Sequence, residues 1–121
     1  MPISAAEHQS WAQQNEAFYR HIGGSRSQWP DWAMTALFYT AVHEIQAALV
    51  ADGARPGDHK ERQRVLREKW PTLATVYETL FTRSKQARYG CQRHSQADLA
   101  LAEAALQQVR REIAKLGLQP Y

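Results

Sequence analysis

An arginine and a histidine with complementary chemistry lie six positions apart in the stretch ARYGCQRHS, as Arg88 and His94. A histidine can transfer a proton near neutral pH, and an arginine can neutralise a phosphate during its transfer. On one continuous helix the two would lie on different faces, since six residues turn the chain by roughly 600°. Gly90 favours a helix end between them, so a turn could bring the side chains together. Such a pairing would have a clear chemical use, since cleavage of RNA by its own 2′-hydroxyl needs no metal; a cation that merely stabilises a helix C-terminus is the alternative.

Four further polar side chains are candidates for a binding pocket. Tyr39 and His43 are one helical turn apart in an apolar segment, so they could share a face and a partner. His59 and Arg62 share a face at the start of a short charged helix, where backbone N–H groups attract anions. Each pair has a structural alternative, because a lone buried histidine is more often a satisfied core residue and a charged helix start is often only solvated.

The sequence contains no motif for a metal or a nucleotide cofactor. His43-Glu44 begins like the zinc-protease pattern HExxH, but Ala47 stands where the second ligand is needed. No two histidines or cysteines have metal-ligand spacing, and neither a Walker loop nor a GxGxxG is present. We therefore expect neither a metal site nor a cofactor.

Length and composition predict one ordinary globular domain over residues 1–121, with 44% hydrophobic and 22% charged residues. The single cysteine, Cys91, excludes an internal disulfide framework. The longest apolar stretch, residues 32–50, is interrupted by His43 and Glu44, which a membrane span would not readily accept. The first residues lack the basic start and apolar run of a secretory signal, so the cytoplasm is the expected compartment.

Positive charge is concentrated in one part of the chain. The net charge is only +3, yet ten Lys or Arg and four acidic residues lie within residues 55–94. A local positive field favours phosphate-bearing partners. A solvated helix face is an equally good interpretation of this basic segment.

Hydrophobic periodicity and capping signals predict five helices and no strand. Ser4 with Glu7, and Ser95 with Asp98, resemble capping boxes, and Asp58 is the expected N-cap of the short third helix. On the first helix, Trp11, Ala12, Phe18, Tyr19 and Ile22 form the expected apolar stripe. The predicted fold is an all-α antiparallel bundle of four long helices plus one short helix, with the second helix at its centre. The predicted helices cover about residues 4–22, 30–51, 58–70, 72–89 and 95–117.

Three segments together resemble the HEPN-domain proteins: DWAMTALFYTAVHEIQAAL, GDHKERQRVL and YETLFTRSKQARY. The resemblance covers residues 30–89 and is closest to small bacterial HEPN-like proteins with a histidine in the central helix and a late ARY. It implies a helical bundle, commonly a homodimer, and in many members a metal-independent endoribonuclease of a toxin–antitoxin, antiviral or RNA-processing system. The hallmark is an arginine followed a short run later by a histidine. Arg88 and His94 fit that pattern, although Tyr89 stands where active members usually carry a polar residue.

By this resemblance Arg88 and His94 would be catalytic, and the binding pocket would comprise Tyr39, His43, His59, Arg62 and Tyr89. The implied partners are RNA or a nucleotide, a second copy of the chain, and an antitoxin or operon partner protein, with no membrane involved. Two other functions stay open. One is a non-catalytic module that binds a nucleotide, RNA or a protein through the basic segment, and the other is a plain helical subunit of a larger complex.

Overall fold

Five α-helices make up most of the described part of the chain, and the all-α prediction is confirmed. The computed structural model describes residues 2–89 and 94–117, and within them there is no strand. One short 3₁₀ helix follows the first α-helix. In chain order the elements are α1 (Ala5–His21), the 3₁₀ helix (Gly24–Arg26), α2 (Pro30–Ala51), α3 (His59–Lys69), α4 (Pro71–Tyr89) and α5 (Gln96–Lys115).

Side-chain caps begin three of these helices where the sequence predicts them. Ser4 and Glu7 exchange hydrogen bonds with each other's backbone N–H groups, and Ser95 and Asp98 do the same at α5. Asp58 accepts a hydrogen bond from the backbone N–H of Glu61 at 2.8 Å and so caps α3. Each cap satisfies N–H groups that a helix start leaves without partners.

The core is built around α2, which packs against α1, α4 and α5. Side chains all round this helix are buried, including Ala33, Met34, Leu37, Ile45 and Leu49. The short helix α3 packs against α4 and buries Leu66. This arrangement holds one face of α2 beside α3 and α4, where the candidate site lies.

The predicted apolar stripe of α1 is partly wrong. Trp11 and Phe18 are 51% and 45% exposed, whereas His8, Ala12 and Tyr19 are the buried residues of the helix. Tyr19 packs in the core, and its hydroxyl donates a hydrogen bond to Glu103 on α5 at 2.6 Å. Helix α1 therefore turns a histidine inward and leaves two large aromatic side chains partly in water.

An ion-pair network ties α1, α2 and α5 together. The Arg110 guanidinium donates to both carboxylate oxygens of Glu44, and its Nη2 also lies 2.9 Å from Glu16. Burial disfavours the charge of Arg110, but the hydrogen bonds that it donates to the two carboxylates outweigh this effect and hold its pKa above the usual range. Among the described residues, no helix combines the length and apolarity needed to cross a bilayer.

Candidate functional site

Seven polar side chains from three helices lie along one face of the molecule, and we call this set the polar stripe. Helix α2 contributes residues at i, i+4 and i+7 spacing, and α4 contributes residues eleven positions apart, so each group shares one helix face. The first turn of α3 lies between them. The polar stripe comprises Tyr39, His43, Gln46, His59, Arg62, Tyr77 and Arg88.

Arg62 links all three helices of the stripe. Its Nε donates to Gln46 Oε1 on α2 at 2.9 Å, and its Nη1 donates to the Tyr77 hydroxyl on α4 at 3.1 Å. The Gln46 amide in turn donates to the carbonyl of Pro56 at 3.1 Å. The guanidinium is therefore held in one orientation with no carboxylate partner among the described residues.

His59 is fixed by Tyr77 and Phe81 from α4. Its Nδ1 is 2.5 Å from the Tyr77 hydroxyl, and its ring stacks on Phe81 with centroids 3.5 Å apart. Since Arg62 already donates to the Tyr77 oxygen, the Tyr77 hydroxyl donates its own proton to His59 Nδ1. Burial, with Arg62 nearby, lowers the pKa of His59 and so favours this neutral imidazole. Burial also raises the pKa of Tyr77, which keeps its proton.

Arg88 occupies the other end of the stripe beside aromatic rings. Its Nη1 donates to the Tyr39 hydroxyl at 2.9 Å, and its Nε donates to the carbonyl of Ser84 at 3.4 Å. The guanidinium carbon is 5.8 Å from the Phe38 ring centroid and 5.6 Å from that of Tyr39. Phe38 also contacts Phe81, so aromatic rings fill the space between Arg88 and His59.

His43 pairs with a histidine that sequence reasoning did not single out. Its Nδ1 is 3.0 Å from Nδ1 of His8 on α1, so one ring donates and the other accepts. Burial lowers the pKa of both rings, and the positive charge of Arg62 adds to the effect. Both are therefore neutral at neutral pH. His8 lies one turn before Ala12 on the buried face of α1, and this spacing is the sequence signal that could have indicated a buried His8.

His94 is buried between the end of α4 and the start of α5. Its Nε2 is 3.0 Å from the carbonyl of Arg83, to which it must donate, and its Nδ1 is 3.8 Å from Asp98 Oδ2. The whole residue is 8% exposed. Arg88 and His94, the predicted catalytic pair, are thus held by different partners, and His94 has the contacts of a structural residue.

The predicted pocket residues are otherwise brought together. His59 and Arg62 share Tyr77, Tyr39 is bound to Arg88, and His43 lines the same cavity as Arg62. The side chain of Tyr89 lies outside the described part of the structure. Gln46 and Tyr77 were not predicted, because each acts through a partner distant in sequence. No group of three potential metal ligands occurs in the described residues.

Comparison with known families and curated proteins identifies no relative of this chain. No family model matches this chain, and no curated protein matches it significantly. The chemistry of the polar stripe must therefore be interpreted from its own geometry. That geometry consists of two oriented guanidinium groups, neutral imidazoles and aromatic rings on one face.

Proposed function

We propose that this chain is a HEPN-like RNA-binding module, an antiparallel bundle of four long helices and the short α3 that works in the cytoplasm. One observation carries the proposal. Arg62 and Arg88 lie at opposite ends of a run of aromatic rings, of which Tyr39 and Phe81 are partly exposed and Phe38 is buried. Proteins that bind single-stranded nucleic acid combine cationic groups for the phosphates with aromatic rings for the bases.

The arrangement suits RNA because its cations are oriented in advance. Hydrogen bonds to neutral partners, Gln46 and Tyr77 for Arg62 and Tyr39 for Arg88, restrain the two side chains. A restrained guanidinium loses less conformational entropy when it binds a phosphate. The surrounding basic segment adds a positive field that attracts a polyanion.

Binding is favoured over cleavage by the surroundings of His94. In a metal-independent ribonuclease of this type, His94 would transfer the proton of the 2′-hydroxyl and Arg88 would neutralise the phosphorane, leaving a 2′,3′-cyclic phosphate. A buried His94 that donates to the Arg83 carbonyl would first have to leave that carbonyl. Cleavage by Arg88 and His94 is therefore the second candidate function.

The test of binding compares two arginines of the basic segment. Arg88→Gln removes a cation from the polar stripe, and Arg64→Gln removes an exposed cation of α3 that is paired with Glu68. With fluorescently labelled single-stranded RNA, Arg88→Gln should weaken binding about tenfold, and Arg64→Gln should weaken it less than about twofold. The slope of log K against log salt should fall by about 0.7 only in Arg88→Gln. Circular dichroism confirms that both variants are folded.

Two outcomes would contradict the proposal. Equal losses in the two variants would mean that only the general positive field binds RNA, and absence of binding by the wild type would exclude the function. The same RNA, incubated with the protein in EDTA and separated on a denaturing gel, tests the second candidate. Cleavage by the wild type but not by His94→Ala would establish the ribonuclease instead.

We also propose a homodimer, with its interface at a cluster of exposed apolar residues. One shallow apolar groove is lined by Phe18 on α1, by Ile22 directly after that helix, and by Trp29 and Trp32 near the start of α2. About half of each aromatic side chain is exposed, which amounts to about 300 Å² of aromatic surface per chain. A standard interface buries about 800 Å² per partner around such an aromatic centre. A second copy is the occupant we propose, and an antitoxin or operon partner protein is the alternative.

A further inference from the structure

A cavity of about 290 Å³ lies at one end of the polar stripe, between α1, α2 and the connection to α3. Its wall carries four basic side chains and the Gln46 amide. Among the residues that the structure describes, the lining contains no Asp or Glu. The basic residues are His8, His43, Arg55 and Arg62.

The basic groups are positioned by neutral partners. Arg55 Nη1 donates to the carbonyl of Ile3 at 2.7 Å, and Arg62 is held by Gln46 and Tyr77. The two imidazoles face each other through their Nδ1 atoms at 3.0 Å. Since none of these contacts neutralises a charge, the cavity presents two uncompensated cations among the described residues, which favours an anion.

We propose that this cavity binds the terminal phosphate monoester of the ligand, either the end of an RNA strand or a mononucleotide. The inference rests on the proposed function, because it names the part of the ligand that binds here. The cavity shares His43, Gln46 and Arg62 with the polar stripe. A strand anchored by its end phosphate would therefore continue toward His59 and Arg88.

The chemistry of the cavity selects a monoester over an internal phosphodiester. A monoester carries a charge of about −1.5 to −2 at neutral pH and three acceptor oxygens. Two guanidinium groups and the Gln46 amide can donate to several of these oxygens at once. An internal phosphodiester carries only one negative charge, so it would gain less from the two cations. The volume is close to the lower limit of small-ligand pockets, about 300 Å³, so the cavity fits an end group and not a passing strand.

The histidine pair makes such binding depend on pH. Burial, with Arg62 and Arg55 nearby, lowers the pKa of His8, while Glu7 opposes this shift; burial, His8 and Arg62 lower that of His43. A bound dianion offsets the repulsion by the arginines and raises both pKa values. Proton uptake should therefore accompany binding, and affinity should increase as the pH falls from 8 toward 6.5.

The experiment uses one RNA sequence with three different ends: a 5′-phosphate, a 3′-phosphate, or hydroxyls at both ends. We expect one phosphorylated form to bind the full chain at least about tenfold more tightly than the dihydroxyl form. Arg55→Gln, which changes an exposed residue, should remove this advantage, and Arg64→Gln should retain it. Inorganic phosphate should compete with the end-phosphorylated RNA in the wild type.

The outcomes separate the two proposals. If all three RNAs bind with equal affinity, the cavity does not bind a terminal phosphate, and RNA binding by the stripe still stands. If no RNA binds but adenosine 5′-monophosphate or inorganic phosphate binds and Arg55→Gln abolishes this, the proposed function is wrong and the phosphate site stands. An advantage of end phosphate that survives in Arg55→Gln would overturn the assignment to this cavity.

Discussion

Histidines in this protein are mostly engaged with neutral partners. His8 and His43 bind each other, His59 binds the Tyr77 hydroxyl, and His94 binds a backbone carbonyl. In the His8–His43 pair and in His59, one ring nitrogen accepts a hydrogen bond, which protonation of that nitrogen would remove. The pairing also means that the polar stripe is ordered by contacts that exist without a ligand.

Stability should decrease in mildly acidic solution because of three of these residues. Burial lowers the pKa of His8, His43 and His59 below the ordinary value of 6.5, so the unfolded chain binds protons first. Their contribution is complete above pH 6.5 and is lost as the pH falls through the folded-state pKa values. Urea denaturation should therefore give a lower free energy of unfolding at pH 5.2 than at pH 7.5.

A matched pair of variants assigns this effect to the buried rings. His8→Asn should reduce the pH dependence between pH 5.2 and 7.5, whereas His21→Asn, which changes an exposed histidine at the end of α1, should leave it unchanged. Equal stability of the wild type at the two pH values would show that the histidine contacts contribute nothing to the folded state.

At the level of the helices, the sequence predicts where a helix begins better than it predicts which face of the helix is buried. The caps at Ser4, Asp58 and Ser95 are local, since each side chain bonds a backbone group three residues away. The buried face of α1 depends on which helices it packs against, and Trp11 and Phe18, although part of the predicted apolar stripe, are about half exposed. Hydrophobicity alone could not distinguish a core aromatic from an exposed one.

The candidate site was predictable only where two of its residues share a helix. Tyr39 with His43, and His59 with Arg62, were recognisable from helical spacing. The partners that orient them, among them Tyr77 fifteen positions after Arg62, follow from how α2, α3 and α4 pack. Contacts between helices leave no trace in local periodicity, which is why these partners were missed.

The network that joins α1, α2 and α5 should contribute measurably to stability. Arg110→Ala leaves the mostly buried Glu44 carboxylate without its bidentate partner, so the free energy of unfolding should fall by about 2–3 kcal/mol. Lys115→Ala on the same helix breaks an exposed pair with Glu112 and should cost no more than about 0.5 kcal/mol. Urea denaturation at neutral pH measures both, and similar values for the two variants would contradict the structural role of Arg110.

For the whole molecule, the notable surface feature is the apolar cluster of Phe18, Ile22, Trp29 and Trp32. It is formed by the end of α1 and the start of α2, away from the cavity at the other end of these helices. Large apolar groups left in water at one place are typical of an interaction surface.

Disrupting this cluster should therefore change the oligomeric state. We expect the wild type to elute as a dimer at tens of micromolar in size-exclusion chromatography with light scattering. The double variant Trp29→Gln, Trp32→Gln should be monomeric and folded, because both side chains are more than half exposed. Leu101→Gln, which changes an exposed apolar residue on α5, should stay dimeric. A monomeric wild type would contradict the proposed interface.

The packing of α3 has a consequence for how tightly any ligand can bind. This helix, which presents His59 and Arg62, packs against α4, buries Leu66, and reaches α2 through the bond of Arg62 to Gln46. A segment with so little buried apolar surface opens at a lower free energy than the core helices. Part of the intrinsic affinity must then be used to keep α3 closed, and the ligand in return stabilises that helix. The protein thus carries two of its recognition groups, His59 and Arg62, on a helix that local fluctuations can release, which favours rapid exchange of ligand over long residence.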